Sequence, residues 1–318
     1  MNMTSAQRLS VQAPAAVVMV RPHAFRSNPD TLKDNAFQTG GPDEAHAATS
    51  ARAYTEVSTM VQRLQGAGVT VHLFEDASLA TPDSVFPNNW FSTHAGGHVA
   101  IYPMAMPSRQ RERRWDVIDL LKQNYRVQDV IDYSGLERDG VYLEGTGAMV
   151  LDHIDRVAYV ARSNRADPLA LERFCTHFNF EPMLFDAADA MGRPVYHTNV
   201  LMCIGTDFAM AGFDMILDTQ RRQQVRERLL ENGRVLVELT EAQIGEFAGN
   251  ALELQGTNGR LLAISSRALR ALRVDQVKAL EASVELMPLD VPTIETAGGS
   301  VRCMLSGIHL KARPLSTA

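Results

Sequence analysis

The sequence predicts an α/β fold built from five copies of one helix-and-strand unit. Amphipathic helices alternate with short apolar strands along the 318 residues. The helix–strand junctions recur at intervals of roughly fifty to sixty residues, which indicates an internal structural repeat. A hydrophobic content of 45% with 21% charged residues is typical of a globular protein with a large core, as one large unit or two.

Each predicted helix is bounded by residues that favour helix ends. The first ends at Gly66 and Gly68 and the fourth at Gly233, because glycine readily adopts the left-handed conformation of a helix C-terminus. The third begins at Asp167-Pro168, an N-cap followed by a proline in the first turn. In chain order, the predicted pairs are a helix through Tyr54, Val57, Val61 and Leu64 with strand 69–74, a helix from about Ser108 to Tyr125 with strand 127–131, the Asp167 helix with strand 182–185, a helix capped near Asp218 or Thr219 with strand 235–239, and a helix containing Val277 and Leu280 with strand 284–287.

Polar side chains recur about fifteen residues after each of these strands, where the next strand is predicted to begin. The five segments are Val85-Phe86-Pro87-Asn88-Asn89, Tyr142-Leu143-Glu144-Gly145-Thr146, Tyr196-His197-Thr198-Asn199-Val200, Gly249-Asn250-Ala251-Leu252 and Val301-Arg302-Cys303-Met304. If the repeats surround an axis, these side chains converge on it. A polar centre enclosed by apolar strands is typical of a binding or catalytic site.

The net charge and the composition of the chain disfavour some classes of binding partner. A formal net charge of −6 and a pI near 5.9 disfavour nucleic acid or an anionic membrane as the main partner. No apolar run approaches the ~20 residues of a membrane span, and the segment from Met1 to Ala13 has no signal-peptide core. We therefore expect a cytoplasmic protein whose partner is a small molecule.

The three cysteines, Cys175, Cys203 and Cys303, form no CxxC pair, which disfavours a disulfide framework or a structural zinc site. Cys175 falls on the apolar face of the Asp167 helix, and Cys203 lies in the apolar run 200–204, which predicts a strand buried on both faces. Cys303 follows the glycine-rich turn at 298–299, whose flexible backbone lets a substrate approach closely. It is the predicted nucleophile.

The chain resembles the pentein or amidinotransferase superfamily over nearly its whole length, from Met19-Val20-Arg21-Pro22 to Cys303. Leu143-Glu144-Gly145 is similar to the superfamily's LEG segment, His197 to its catalytic histidine, and Gly299-Ser300-Val301-Arg302-Cys303-Met304 to its nucleophile segment. Asp83-Ser84-Val85-Phe86-Pro87-Asn88-Asn89-Trp90 most resembles the branch of citrulline-utilisation hydrolases. The resemblance implies a five-bladed α/β propeller (pentein) of pseudo-fivefold ββαβ repeats, a site on the axis, and no metal or organic cofactor.

Carried over residue by residue, the resemblance makes Cys303 the nucleophile, His197 the general acid/base and Glu144 the carboxylate that holds a substrate nitrogen. These residue types suit the chemistry. A thiolate attacks the trigonal carbon of a guanidino or ureido group, an amine leaves in protonated form, and water hydrolyses the covalent intermediate.

Departures from the superfamily pattern favour a ureido substrate. Asn89 stands where arginine-acting members commonly place an aspartate, and Asn199 stands where several carry another. A carboxylate suits a cationic guanidinium, whereas an amide offers a donor and an acceptor to a neutral urea. Two alternatives remain: Asn88 and Asn89 only form a turn, and arginine dihydrolases of the superfamily also use an asparagine near this position.

Anchors for the rest of the substrate are also predicted. The resemblance assigns Arg165 to the substrate α-carboxylate, with Arg162 as the alternative, and Asp83 suits the α-amino group. Arg302 is expected to alternate away from the site and form a structural ion pair. The remaining arginines of this region are predicted to form a solvated helix face: Arg109, Arg111, Arg113 and Arg114.

Together these observations predict a tail over residues 1–14 and a single pentein catalytic domain over residues 15–312. The expected activity is cysteine-dependent hydrolysis of a ureido or guanidino amino acid, with citrulline converted to ornithine, ammonia and carbon dioxide. Arginine dihydrolase, deiminase or amidinotransferase activity is the alternative within the class. A non-catalytic binding or assembly factor is the alternative outside it. A homo-oligomer is compatible with the sequence.

Overall fold

The computed structural model describes residues 10–32, 35–38 and 46–314, which form a five-bladed α/β propeller of three-stranded sheets. In each blade the middle strand pairs antiparallel with one neighbour and parallel with the other. The strands are β1 (Ala16–Pro22), β2 (Thr70–Asp76), β3 (Phe91–His94), β4 (His98–Ile101), β5 (Asp129–Asp132), β6 (Met149–Asp152), β7 (Val157–Ala161), β8 (Glu181–Phe185), β9 (Met202–Ile204), β10 (Phe208–Ala211), β11 (Val235–Glu238), β12 (Leu252–Gly256), β13 (Gly259–Ser265), β14 (Glu285–Leu289) and β15 (Ser306–Gly307).

The ends of the domain close the ring. Four blades use three consecutive strands, but the remaining blade has the order β15-β1-β2, so a C-terminal strand completes an N-terminal blade. Val17 pairs with Gly307 and Val18 with Ser306 in this antiparallel contact. Residues 12–14 are buried as well, although the sequence places them in a tail. The first nine residues of that predicted tail lie outside the described residues.

Helices connect the parallel strand pairs, as the repeat predicts. The α-helices are α1 (His46–Gly66), α2 (Pro107–Gln110), α3 (Trp115–Asn124), α4 (Gly145–Ala148), α5 (Pro168–Phe178), α6 (Thr198–Leu201), α7 (Thr219–Leu230), α8 (Glu241–Gly245), α9 (Ser266–Ala271), α10 (Val274–Glu281) and α11 (Pro292–Glu295), with 3₁₀ helices at Pro87–Asn89, Ser134–Asp139 and Phe213–Met215. The N-caps at Asp167 and Asp218 are confirmed, since both side chains accept backbone hydrogen bonds. No helix among the described residues is long and apolar enough to cross a bilayer.

One helix differs from its prediction. The expected continuous helix from Ser108 to Tyr125 is two helices, α2 and α3, separated by Arg114 in an extended conformation. The break lets Arg109 and Glu112 turn inward and pair with each other at 2.9 Å in the interior. The prediction of a solvated arginine face is therefore wrong at Arg109, which is buried.

The polar segments also lie on a different element from the one expected. They precede the first strand of each blade as single helical turns, the 3₁₀ helix Pro87–Asn89, α4, α6 and the turns at 247–250 and 300–304. The apolar run 200–204 is accordingly part helix, and only Met202–Ile204 forms the strand that carries Cys203. Because each turn stands at the same place in its blade, the five turns meet at one end of the propeller axis.

The core beneath these turns is apolar. Val57 and Leu64 of α1 pack with Val17 and Met19 of β1 in the same buried cluster as Met304. A fully buried side chain of this size contributes about 1.5–3 kcal/mol relative to exposure. The turn that carries Cys303 therefore rests on a well-packed base.

Candidate active site

Cys303 lies on the turn before β15 and is nearly fully buried. Its amide donates to Ser300 O at 3.0 Å, which fixes the turn. Its sulfur accepts hydrogen bonds from Asn199 Nδ2 at 3.1 Å and from Asn250 Nδ2 at 3.2 Å. Two donors directed at one sulfur hold it in a fixed position beside the cavity. The sequence placed Asn250 in the polar repeat but gave it no role.

Glu144 and His197 are brought together from neighbouring blades. Glu144 is the N-cap residue of α4 and His197 that of α6, and His197 Nε2 lies 2.8 Å from Glu144 Oε2. Ala105 N donates to the other carboxylate oxygen at 3.0 Å. Because an ionised carboxylate only accepts hydrogen bonds, Nε2 of His197 carries the proton and Nδ1 holds the free lone pair.

Burial and the neighbouring charges shift the pKa of each member of this pair in opposite directions. Burial raises the pKa of Glu144, but Arg165, the hydrogen bond from His197 and Arg109 outweigh it and hold the pKa well below its usual range. Burial lowers the pKa of His197 to about 4, although the hydrogen bond to Glu144 opposes that shift. The pair is therefore a carboxylate beside a neutral imidazole at neutral pH.

Two buried arginines lie beside Glu144. Nη1 of Arg165 is 3.6 Å from Glu144 Oε2, and Nη1 of Arg109 is 3.8 Å from the same oxygen. The Arg165 guanidinium also lies over the Tyr196 ring, with its central carbon 5.0 Å from the ring centroid. Arg162, the alternative anchor, pairs instead with Asp186 on the surface. The structure thus brings Arg165 and not Arg162 to the site.

Arg109 links the remaining acidic groups. It lies 3.9 Å from Asp83 Oδ2 and forms two short contacts with Glu112. Burial raises the pKa of Glu112 to about 8, even though Arg109 lowers it. Asp83 accepts from Asn28 Nδ2 at 2.8 Å through Oδ2, while its buried Oδ1 has no hydrogen-bond partner among the described residues.

The adjacent asparagines occupy different places. The side-chain amide of Asn89 is oriented so that both its oxygen and its nitrogen have hydrogen-bond partners. The oxygen accepts from Nη1 and Nη2 of Arg109, each at 2.9 Å, and the nitrogen donates to Asn88 Oδ1 at 3.2 Å. Asn89 lines the cavity beside Cys303, whereas Asn88 is fully buried behind it. Gly147 packs against this wall, since a Cβ on it would lie 2.0 Å from the Asn89 amide. Only glycine fits there.

The cavity beside Cys303 is small, about 10 Å³, which is room for roughly one water molecule. Its walls combine residues predicted from the sequence with residues that the sequence did not reveal. The predicted site residues are Asp83, Asn89, Arg165, His197 and Cys303, and the residues to which the sequence gave no role in the site are Thr31, Asn35, Arg109 and Tyr196. Asn199 reaches the sulfur from behind the wall. A cavity of this volume must enlarge for an amino acid to enter.

Arg109→Met is expected to destabilise the fold by about 3 kcal/mol, because it leaves buried carboxylates without their cation. The loss should be larger at pH 9 than at pH 6, since Glu112, with a pKa near 8, takes up a proton at the lower pH. Chemical denaturation at both pH values measures it. Arg111→Met is the matched control on the exposed side of the same segment, with a change within about 0.5 kcal/mol. Equal stability of the two variants would contradict the pairing.

Comparisons with known proteins agree with this architecture. The family model described as "N,N dimethylarginine dimethylhydrolase, eukaryotic" matches residues 21–310. No curated protein matches the chain closely enough to count as a relative. Among solved structures, the N-terminal domain of ArgZ, an arginine dihydrolase from the ornithine–ammonia cycle in cyanobacteria, aligns with a TM-score of 0.71 and 16% identity over 92% of this chain and 97% of that domain.

Two further structures extend the comparison. Unliganded AgrE has a TM-score of 0.73 and 15% identity over 94% of this chain but only 40% of its own length. A dimethylarginine dimethylaminohydrolase adduct with 4-chloro-2-hydroxymethylpyridine has a TM-score of 0.64 and 14% identity over 92% of this chain and 99% of that one. At such low identities the structural matches show only the fold. The family model covers most of the sequence and therefore shows the family. The chain belongs to the N,N-dimethylarginine dimethylhydrolase family of the pentein or amidinotransferase superfamily, and it is a hydrolase that acts on carbon–nitrogen bonds.

Proposed function

We propose that this protein hydrolyses citrulline, or a closely similar ureido amino acid, to ornithine, ammonia and carbon dioxide, as expected of the citrulline-utilisation branch. The observation that carries the proposal is the charge balance around the cavity. Each carboxyl group near Cys303 lies within 4 Å of an arginine, Asp83 and Glu112 beside Arg109 and Glu144 beside Arg165. Because the pKa of Glu112 is about 8, that group is protonated at neutral pH, and the charges of Asp83 and Glu144 balance those of Arg109 and Arg165.

A cationic guanidinium and a neutral ureido group are expected to bind such a site with different strength. A guanidinium carries only donors and a positive charge, so it needs a carboxylate that is not already paired. A ureido group brings an acceptor oxygen and no charge. The neutral amide of Asn89 on the cavity wall, held by Arg109, supports the second kind of substrate.

The charged end of an amino acid also has complementary groups. Asp83 Oδ1 is a buried acceptor without a hydrogen-bond partner among the described residues, and it suits an α-ammonium group. The planar guanidinium of Arg165 suits the α-carboxylate through two parallel hydrogen bonds. These two contacts leave the net charge of the site unchanged, so the bound side chain must be neutral to preserve the balance.

The proposed reaction has two steps. Cys303 transfers its proton to Nδ1 of His197, and the thiolate attacks the ureido carbon. The bond from that carbon to the ornithine nitrogen then breaks, with His197 returning the proton to the leaving amine. Water attacks the resulting S-carbamoyl group, the C–S bond breaks, and the thiol and carbamate are released. Carbamate decomposes to ammonia and carbon dioxide. Glu144 stabilises the imidazolium and holds a substrate nitrogen.

Arginine hydrolysis is the second candidate, because structural neighbours of this chain include an arginine dihydrolase and an AgrE mutant that binds L-arginine. Turnover assays with citrulline, arginine, agmatine and methylated arginines, with ornithine, ammonia and urea measured separately, distinguish the two activities. Citrulline should have the highest kcat/KM. A wild-type preference for arginine would replace the proposal with a dihydrolase.

Asn89→Asp should shift specificity toward arginine by more than tenfold in the ratio of kcat/KM values. One oxygen of the new carboxylate keeps the bonds to Arg109, and the other replaces the nitrogen that donates to Asn88 Oδ1. The substitution also adds a negative charge to the cavity wall beside the substrate. A charge-assisted bond of this kind contributes on the order of 1.5–3 kcal/mol, against about 1.4 kcal/mol per factor of ten. Paired assays with citrulline and arginine measure the shift.

Asn88→Asp is the matched control for this substitution. Asn88 stands on the same 3₁₀ turn but behind the cavity wall, so its replacement should leave the arginine-to-citrulline ratio within about twofold. An equal fall for both substrates in Asn89→Asp would show that Asn89 serves only the turn. A similar ratio shift in both variants would show that the added charge acts at a distance.

A further inference from the structure

A second cavity lies on the propeller axis and shares no lining residue with the cavity beside Cys303. The first strands of all five blades contribute to its wall, β3, β6, β9, β12 and β15. Its volume is about 40 Å³, enough for roughly three water-sized groups. Gln12 spans part of it, donating to Leu151 O at 3.0 Å and Ile204 O at 3.1 Å.

Arg302 lines this cavity, is partly buried, and differs from the fully buried arginines. Arg109, Arg165, Arg234 and Arg260 each lie within 4 Å of a carboxylate. Among the described residues, no carboxylate forms an ion pair with Arg302, so the structural ion pair expected from the sequence is wrong for this part of the chain. The guanidinium donates to Leu305 O at 3.2 Å, and this bond uses one of its five N–H groups.

The neighbours of Arg302 do not balance its charge. Burial lowers its pKa, and the acidic groups that oppose this shift are the thiols of Cys303 and Cys203. The stacked rings of His153 and His309, with centroids 3.8 Å apart, line the same cavity. Burial and the charge of Arg302 together lower the pKa of His309 to about 4, and burial lowers the pKa of His153 well below its usual value, so both rings stay neutral at physiological pH.

A partly desolvated cation without a counter-charge destabilises the fold, and an anion in the adjoining cavity relieves that cost. The planar fork of a guanidinium matches a planar oxyanion through two parallel hydrogen bonds. No three histidine, cysteine or acidic side chains among the described residues are arranged as metal ligands. We propose that this cavity binds a small planar monovalent oxyanion, a carboxylate or bicarbonate, on the guanidinium of Arg302.

The test follows the thermal unfolding of the full chain at constant pH and ionic strength, with sodium chloride replaced stepwise by sodium formate or sodium bicarbonate. A saturable rise in Tm of about 2–4 °C is expected, because an anion that binds only the folded protein stabilises it. A larger response to formate identifies a carboxylate site, and a larger response to bicarbonate identifies a bicarbonate site. A Tm that does not change on replacing chloride would overturn the planar-oxyanion proposal.

Variants locate the binding site. Arg302→Gln should lose the formate response, whereas Arg162→Gln, which alters a surface arginine, should keep it. Arg165→Gln tests whether the anion binds in the cavity beside Cys303 instead. If Arg165→Gln loses the formate response and Arg302→Gln keeps it, the anion lies beside Cys303 and the proposal is refuted. If Arg302→Gln does not fold, Arg302→Lys keeps the charge without the planar fork. It should bind ¹³C-formate at least tenfold more weakly by NMR line broadening, and equal affinity would refute the bidentate contact.

Discussion

Cys303→Ser is expected to lower turnover on the order of 10⁴-fold or more while the protein stays folded. A hydroxyl is a much weaker nucleophile than a thiolate at neutral pH, and removal of a nucleophile that works with a neighbouring base disables both groups. The amides of Asn199 and Asn250 are directed at the sulfur, and serine at this position is slightly smaller without changing the turn. Steady-state assays with the preferred substrate and a thermal unfolding curve measure both parts of the expectation.

The other two cysteines supply controls for this substitution. Burial raises the pKa of Cys175 and of Cys203 to about 12, so neither thiol forms a thiolate readily. Cys175→Ser should retain turnover within about twofold when it is assayed well below its melting temperature. Chloroacetamidine should modify Cys303 alone by peptide mass analysis. Labelling at Cys175 or Cys203, or substantial activity in Cys303→Ser, would exclude Cys303 as the nucleophile.

The repeat was predictable because each blade carries its own local signals. The N-cap at Asp167, the glycines at 66 and 233, and the apolar stripes of the connecting helices depend on residues that are close in sequence. The convergence of Glu144, His197 and Cys303 followed from their equivalent positions in successive repeats. A short apolar run such as 200–204 does not distinguish a strand from a buried helical turn, and this is why the polar segments were placed on the wrong element.

Arg109 illustrates what local signals do not contain. It lies in an arginine-rich stretch that is typical of a solvated helix, yet the groups that bury it, Asp83 and Glu144, come from distant parts of the chain. Thr31 and Asn35 reach the cavity from a segment without hydrophobic periodicity. The positions of Arg109, Thr31 and Asn35 therefore depend on buried contacts between segments that are far apart in the sequence. Arg302 points away from the cavity beside Cys303, as expected, and only its predicted ion pair is wrong for the described residues, because the partner would have to come from a remote segment.

His197→Ala should lower kcat by roughly 10²–10⁴-fold, as expected when a positioned acid/base is lost. The wild-type pH profile provides an independent signature. If Nδ1 of His197 must accept the thiol proton, activity requires the neutral imidazole and is lost as the pH falls through its pKa. A pKa of about 4 keeps kcat/KM nearly constant down to pH 5.5, where a histidine with the ordinary pKa near 6.5 would be only ~10% neutral.

The measurement is kcat/KM between pH 4.5 and 7.5, with activity recovered on return to pH 7 as proof that the fold survives. His177→Ala is the matched control, because His177 is exposed on α5 and contacts only the Tyr133 hydroxyl among the described hydrogen bonds. It should remain within about twofold of wild type. His153 is not an alternative base, since it lines the second cavity with Arg302. Near-native turnover in His197→Ala, or an acid limb near pH 6.5 in the wild-type protein, would therefore assign the proton transfer to a group other than a buried neutral His197.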